Sequence, residues 1–163
     1  MSKLLNPAML ILGLALCSPT WAYDAEMAAS YQKLFSNVSG AEAGKSLNFV
    51  SAEAFTEGLK EGKQWVAIDV RTPAETELLA LSLPGSMAIP TDEIFIPENL
   101  ALIPREKPVV IVCKSGARAA VVGTSLRHIG FDNVHILKGG FQGLASYFGP
   151  KQAYSPSLTR DSR

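Results

Sequence analysis

One stretch constrains this chain more than any other: Val109-Val110-Ile111-Val112-Cys113-Lys114-Ser115-Gly116-Ala117-Arg118-Ala119-Ala120. It opens with four β-branched apolar residues, whose composition and length predict a buried strand. A cysteine follows at once, then a short turn containing glycine. Alanines, valines and Leu126 continue in a helical pattern to His128-Ile129. The pattern is therefore strand, tight loop, helix, with a thiol at the end of the strand. In an open α/β sheet, ligands bind outside the carboxyl ends of the strands.

A segment that wraps from Cys113 to Arg118 just before a helix turns backbone N–H groups inward. Those donors and the helix N-terminus make an anion cradle. A sulfur held in such a cradle is favoured as its thiolate, which is the nucleophilic form. Lys114 and Arg118 add positive charge, and Gly116 fits where the backbone takes an unusual angle or comes close to a ligand. The bland alternative is a buried cysteine that ends a strand, with Lys114 and Arg118 merely solvated. Gly116 and Arg118 at this spacing weigh against it.

Cys113-Lys114-Ser115-Gly116-Ala117-Arg118 resembles the six-residue active-site loop of single-domain rhodaneses, the sulfurtransferases. Ala67-Ile68-Asp69-Val70-Arg71-Thr72-Pro73 resembles the family's first signature, and Leu83-Pro84-Gly85-Ser86 with Ile89-Pro90 its middle segment. Gly130-Phe131-Asp132-Asn133-Val134 and Leu137-Lys138-Gly139-Gly140 resemble its C-terminal segment. The resemblance runs from about residue 46 to residue 148, with the matches in the family's order. It departs in two places. Leu81-Ser82-Leu83 stands where rhodaneses usually carry Gly-His-Ile, after what reads as a two-residue insertion, so no imidazole is available there. Leu144 stands where the family often has tryptophan.

The resemblance implies a rhodanese-like three-layer α/β domain with a mainly parallel central sheet flanked by helices. Runs of β and α alternate between residues 47 and 147, which supports that architecture independently. It further implies Cys113 as nucleophile, with Lys114, Ser115, Gly116, Ala117 and Arg118 as the substrate-binding loop. Asp69 and Arg71 flank the end of a nearly all-apolar strand at residues 65–70. Their plainer reading is an ion pair or hydrogen bonds that hold loops, and the resemblance also points to a supporting role beneath the active loop. The resemblance implies no cofactor and no metal.

The chain has 163 residues, enough for one domain. Hydrophobic residues are 47% and charged residues 18%, which argues against a largely disordered chain. The formal net charge is zero, so nothing points to a nucleic-acid partner. Residues 1–22 have the layout of a secretory signal peptide: Lys3, an apolar run over residues 9–17, and small residues at Thr20 and Ala22. The run is too short to span a bilayer, which takes about 20 residues. Cys17 does not make a lipoprotein signal, because Leu16 sits where a small residue is expected. The expectation is cleavage after Ala22, a periplasmic location and no stable membrane anchor. Cys113 would then be the only cysteine of the mature chain, which excludes an internal disulfide, a CxxC redox site and a cysteine metal cluster.

Residues 23–45 read as a helical extension and linker, with Met27, Tyr31 and Leu34 on one stripe of a helix that packs on the domain. Ser51 is a fair N-cap for a helix to Lys60, and Pro73 suits a helix start with Glu75 and Glu77 after it. That helix is expected to be lengthened or shifted by the insertion before Leu81. Ile94, Phe95 and Ile96 read better as core than as an apolar lip to the thiol. His128 and His135 are far from Cys113 in sequence and read as surface or packing residues, so no cysteine–histidine dyad is evident. Residues 46–149 form the expected domain, and residues 150–163 a flexible tail.

Three functions are weighed. The first is sulfur transfer from a small anionic donor such as thiosulfate to cyanide or a thiol, a protein thiol included, through a persulfide on Cys113. Lys114 and Arg118 suit a sulfonate; relatives that use mercaptopyruvate tend to have a less charged loop. The second is phosphatase or arsenate-reductase chemistry, which similar folds perform with five residues between cysteine and arginine. Here there are four, Lys114 to Ala117, a tighter cradle suited to one sulfur atom. The third is a non-enzymatic persulfide carrier or a binding module of the cell envelope.

Overall fold

The computed structural model describes residues 22–40 and 43–149. Residues 1–21 of the expected signal segment 1–22, and the expected tail at residues 150–163, lie outside the described residues. Five short strands form one all-parallel sheet: β1 (Phe49–Val50), β2 (Val66–Asp69), β3 (Met87–Ala88), β4 (Val109–Val112) and β5 (Val134–Leu137). Their order across the sheet is β1-β5-β4-β2-β3. The helices are α1 (Ala25–Phe35), α2 (Ala43–Ser46), α3 (Ala52–Lys60), α4 (Pro73–Leu78), α5 (Pro97–Leu102), α6 (Ala117–His128) and α7 (Gly140–Tyr147). Among the described residues, no helix is long and apolar enough to cross a membrane.

β2 and β4 are buried at every position, which explains why they read as continuous apolar runs rather than alternating ones. Along β4 the side chains alternate between two cores. Val109, Ile111 and Cys113 face Ala119, Val122 and Leu126 of α6, with Ile94, Ile103 and Phe131 beside them. Val110 and Val112 face the other side, with Phe55 of α3, Trp65 and Leu144 of α7. Burying one such aliphatic or aromatic side chain contributes about 1.5–3 kcal/mol. Helices on both faces complete the three layers. The core expectation holds for Ile94, which is fully buried, but Phe95 and Ile96 are 43% and 44% exposed. Three consecutive residues in a turn cannot all point inward, and the turn bonds to Pro90 O select Ile94.

Local chemistry sets the element ends. The Ser51 hydroxyl accepts from Ala54 N at 3.1 Å and starts α3. Thr72 and Glu75 form a reciprocal capping box at the start of α4. α6 stops at Gly130, whose N–H reaches Arg127 O while Phe131 N reaches Leu126 O. α4 is shorter than the sequence implies: Leu79 is extended, with φ −159° and ψ 103°, and residues 80–86 run on without helix. α1 buries none of its residues and touches the domain through Tyr31, stacked on His128 at 4.6 Å, and Ser30, bonded to His128 at 2.8 Å.

β2 leads outward to β3, and the chain then returns on the other side of β2 to lay down β4 and β5. The carboxyl ends of β2 and β4 therefore lie at a topological switch point, where open α/β sheets bind ligands. Asp69 ends β2 in register with Val112, one residue before Cys113.

Candidate active site

β4 runs straight into Cys113, whose side chain is 1% exposed. Its sulfur accepts two backbone hydrogen bonds, from Gly116 N at 3.1 Å and from Ala119 N at 3.4 Å. Gly116 is the N-cap of α6 and adopts φ 96°, a left-handed conformation that other residues enter at a cost. A β-carbon there would stand 3.1 Å from Gly139 N. The first four amides of a helix have no acceptor within it. Two of those in α6, Gly116 and Ala119, are aimed at sulfur, and the partial positive charge of the helix end adds to them.

The other wall of the loop comes from α7. Phe141 N donates to Cys113 O at 2.7 Å, and Gln142 N donates to Lys114 O at 3.0 Å. Each planar trans peptide holds its N–H opposite its carbonyl. Tying those two carbonyls to α7 therefore turns the Lys114 and Ser115 amides away from α7. Gly140 permits this contact. A β-carbon on it would collide with Cys113 O and come within 2.7 Å of Gly116 N. The sequence places Gly139-Gly140 in a C-terminal segment that resembles the family's, not in a wall of the loop; the collision becomes visible only in three dimensions.

Arg118, the last residue of the loop, is held by a carboxylate from another helix. Its Nη1 donates to Glu75 Oε2 at 2.8 Å and its Nη2 to Glu75 Oε1 at 2.7 Å. The Arg118 hydrogen bonds, and then the Thr72 backbone N–H, hold the Glu75 carboxyl at about 2, well below its ordinary value. The same pairing raises Arg118 above its ordinary value. Sequence reasoning placed Glu75 only in the first turn of a helix. The capping pattern was its one signal, and nothing local pairs it with a residue 43 positions away.

Asp69 and Arg71 lie at the end of β2, both buried. The Asp69 carboxylate accepts from Arg71 N, Nε and Nη2, the last at 2.7 Å. Arg71 also donates to Glu75 O at 3.3 Å and Leu79 O at 2.6 Å, and its guanidinium lies 4.4 Å from the centre of the Phe141 ring. This pair thus spans β2, α4 and α7, and braces the walls of the loop. Lys114, Ser115 and Ala117 are exposed at the loop surface. With Arg71 matched by Asp69 and Arg118 by Glu75, Lys114 is the loop's one cation without a carboxylate partner among the described residues. Beside it lies a cavity of about 310 Å³ lined by Arg71, Glu75, Leu78, Leu79, Lys114, Phe141 and Gln142. A larger cavity, about 540 Å³, lies between α1 and the far end of α6 at His128, away from the thiol.

The model of the rhodanese-like domain matches residues 51–147. The chain belongs to the rhodanese-like family. This rhodanese-like domain is 31% identical over 94 residues to a sulfurtransferase of Allochromatium vinosum, covering 58% of the present chain and 84% of that protein. It is 32% identical over 92 residues to a probable adenylyltransferase/sulfurtransferase, MoeZ, of Mycobacterium tuberculosis. That match covers 56% of this chain but only 23% of the mycobacterial protein's length. Among solved structures, a rhodanese-like domain protein from Staphylococcus aureus superimposes with a TM-score of 0.52 at 30% identity, covering 60% of this chain and 90% of that one. A rhodanese-related protein from Thermoplasma volcanium has the same fold, with a TM-score of 0.52 at 22% identity over 63% of this chain and 95% of that one.

Proposed function

We propose that this protein is a sulfurtransferase that carries a sulfane sulfur on Cys113 as a persulfide. The observation that carries the reading is the pair of N–H donors from Gly116 and Ala119 on the Cys113 sulfur, at the N-terminus of α6. The matched relatives named as sulfurtransferases support it. With thiosulfate as the donor, the Cys113 thiolate attacks the outer sulfur. A bond forms between Sγ and that sulfur, the bond to the sulfonate sulfur breaks, and sulfite leaves with the electron pair. The loop amides then face the terminal sulfur and stabilise its negative charge, as an oxyanion hole stabilises oxygen. A thiol or cyanide takes the sulfur in a second step, which gives ping-pong kinetics. Lys114 attracts the anionic donor. Arg118 orients the end of α6 through Glu75, and Asp69 and Arg71 support the loop from below. Residues 1–22 direct export to the periplasm, where the mature chain works.

Intact mass after incubation with thiosulfate tests this, beside a Cys113→Ser control. The expected result is a gain of one sulfur atom, reversed by cyanide and absent from the control. A folded, reduced protein that gains no sulfur from thiosulfate or from an organic persulfide would overturn the reading.

A further inference from the structure

The mouth of the loop carries an apolar feature that a small acceptor would not use. Leu78 and Leu79 are consecutive, 88% and 58% exposed, and line the same cavity as Lys114 and Phe141. Single exposed leucines are ordinary on a protein surface; these two adjoin each other and border a cavity. Their display is fixed rather than frayed. The buried Arg71 holds Glu75 O within α4 and Leu79 O just past its end, and lies over the Phe141 ring. α4 ends there because Leu79 is extended, which leaves both leucines on the rim.

The charge on the rim is equally specific. Arg71 and Arg118 are matched by Asp69 and Glu75, so neither carboxylate is free to repel an anion or attract a cation. Lys114 remains as one exposed ammonium group. The surface is therefore two leucines and an aromatic ring beside a single positive charge, which is carried by the residue that follows the almost fully buried Cys113.

We infer that the sulfur acceptor is a protein that presents its cysteine from a segment with apolar residues beside it and a carboxylate that meets Lys114. This rests on the sulfur-transfer reading above. The apolar residues cover Leu78, Leu79 and Phe141, and the carboxylate supplies the partner that Lys114 lacks among the described residues. The partner's thiol passes its proton to the terminal sulfur of the Cys113 persulfide, and the resulting thiolate attacks that sulfur. A sulfur–sulfur bond forms on the partner and the bond to Cys113 Sγ breaks. The electron pair returns to Sγ as a thiolate, facing the Gly116 and Ala119 amides. Only the outer sulfur moves, with one sulfur–sulfur bond formed and one broken, so no external oxidant or reductant is needed.

The test uses the full chain and two short fluorescent peptides with serine in place of the acceptor cysteine. One carries leucines and an aspartate around that serine; the other carries serines and a lysine. In fluorescence anisotropy the first should bind at least about tenfold more tightly. That preference should collapse in Leu78→Ser/Leu79→Ser and in Lys114→Glu. Equal affinity for the two peptides, or a preference that survives both substitutions, would overturn the inference. The matching cysteine peptides are then given to protein already carrying sulfur on Cys113. The apolar, acidic peptide should discharge it at least about tenfold faster than the other, while the leucine substitutions change discharge by cyanide by less than about twofold. Equal discharge rates would overturn it too. Loading of Cys113 is read separately by mass, so a protein that binds the peptide but never loads sulfur counts against the transfer reading and not against the docking surface.

Discussion

Arg118 and Glu75 meet through two parallel hydrogen bonds, Nη1 to Oε2 at 2.8 Å and Nη2 to Oε1 at 2.7 Å. The pair fixes the first turn of α6, which holds the Cys113 sulfur, to the first turn of α4. Glu75→Gln keeps one oxygen acceptor and removes the charge. Sulfur loading of Cys113 should slow by about 10- to 100-fold, because a small misplacement of a reacting group is costly. Glu75→Asp should recover part of the rate, which a loss of general stability would not produce. Quenched-flow mass spectrometry reads both. The pH dependence has a definite sign. The folded carboxyl ionises at about 2 against an ordinary 4.5, so its stabilising effect is complete above about pH 4.5 and is lost as pH falls through about 2. Carboxyl carbon chemical shifts of Glu75 should follow that low midpoint. Both side chains are about one-third exposed, so added salt should weaken the coupling.

Much of this site is legible in the linear sequence because its central unit is local. The β-branched run, the cysteine, Gly116 and the alanine-rich helix are contiguous, and each keeps its intrinsic preference in the fold. Asp69 and Arg71 are two residues apart, so their pairing needs only the strand end between them. What sequence could not show is contact between distant segments. Glu75 reaches Arg118, and Gly140 reaches Cys113 O, only after β2, β4 and α7 have come together. The early end of α4 was hidden for a different reason. Leu78, Leu79 and Leu81 have good helix or core character, yet Arg71 captures Leu79 O and the chain turns extended.

Gly140 is a second point at which the loop is sensitive. Its φ is 54°, and a β-carbon would press on Cys113 O and Gly116 N. Gly140→Ala should lower stability by about 1–3 kcal/mol from backbone strain and the clash together. It should also displace the Cys113 carbonyl from Phe141 N, so the rate of sulfur loading should fall even at temperatures where the variant is fully folded. Urea unfolding and the loading assay check the two effects separately. Gly130→Ala is the comparison, since Gly130 also has a positive φ, 98°, but none of the described residues stands within 4 Å of an added β-carbon. It should lose stability without losing loading rate.

The Asp69–Arg71 pair is buried, with side chains 4% and 6% exposed. Replacing Arg71 by methionine strands a buried carboxylate, which costs about 3–5 kcal/mol. The double substitution Asp69→Asn/Arg71→Met removes both charges and should recover a large part of that loss. The loading rate should not recover with it, because Leu79 O and the Phe141 ring still lack the guanidinium that braces them. Urea midpoints for the two variants, set beside their loading rates, separate charge burial from bracing. A double variant as unstable as Arg71→Met would show that the lost braces dominate the cost.

His135 gives the domain a pH dependence remote from the thiol. The ring is half-buried on β5, its edge against Trp65 at 4.9 Å, and Nδ1 donates to Asn133 O at 3.0 Å. Burial pushes its pKa below the usual 6.5; the bond to Asn133 O opposes that shift, and Lys63 and Arg127 add to it. Lys63 lies over the same tryptophan, at 4.1 Å. The folded state therefore favours the neutral ring, and the unfolded chain binds the proton more readily. Stability from this residue is complete above about pH 6.5 and declines as pH falls through the folded pKa below it. Thermal midpoints measured from pH 8 down to pH 5 should fall more steeply for the native protein than for His135→Gln, which cannot charge. Parallel slopes would mean that the ring protonates as easily in the fold as in the unfolded chain.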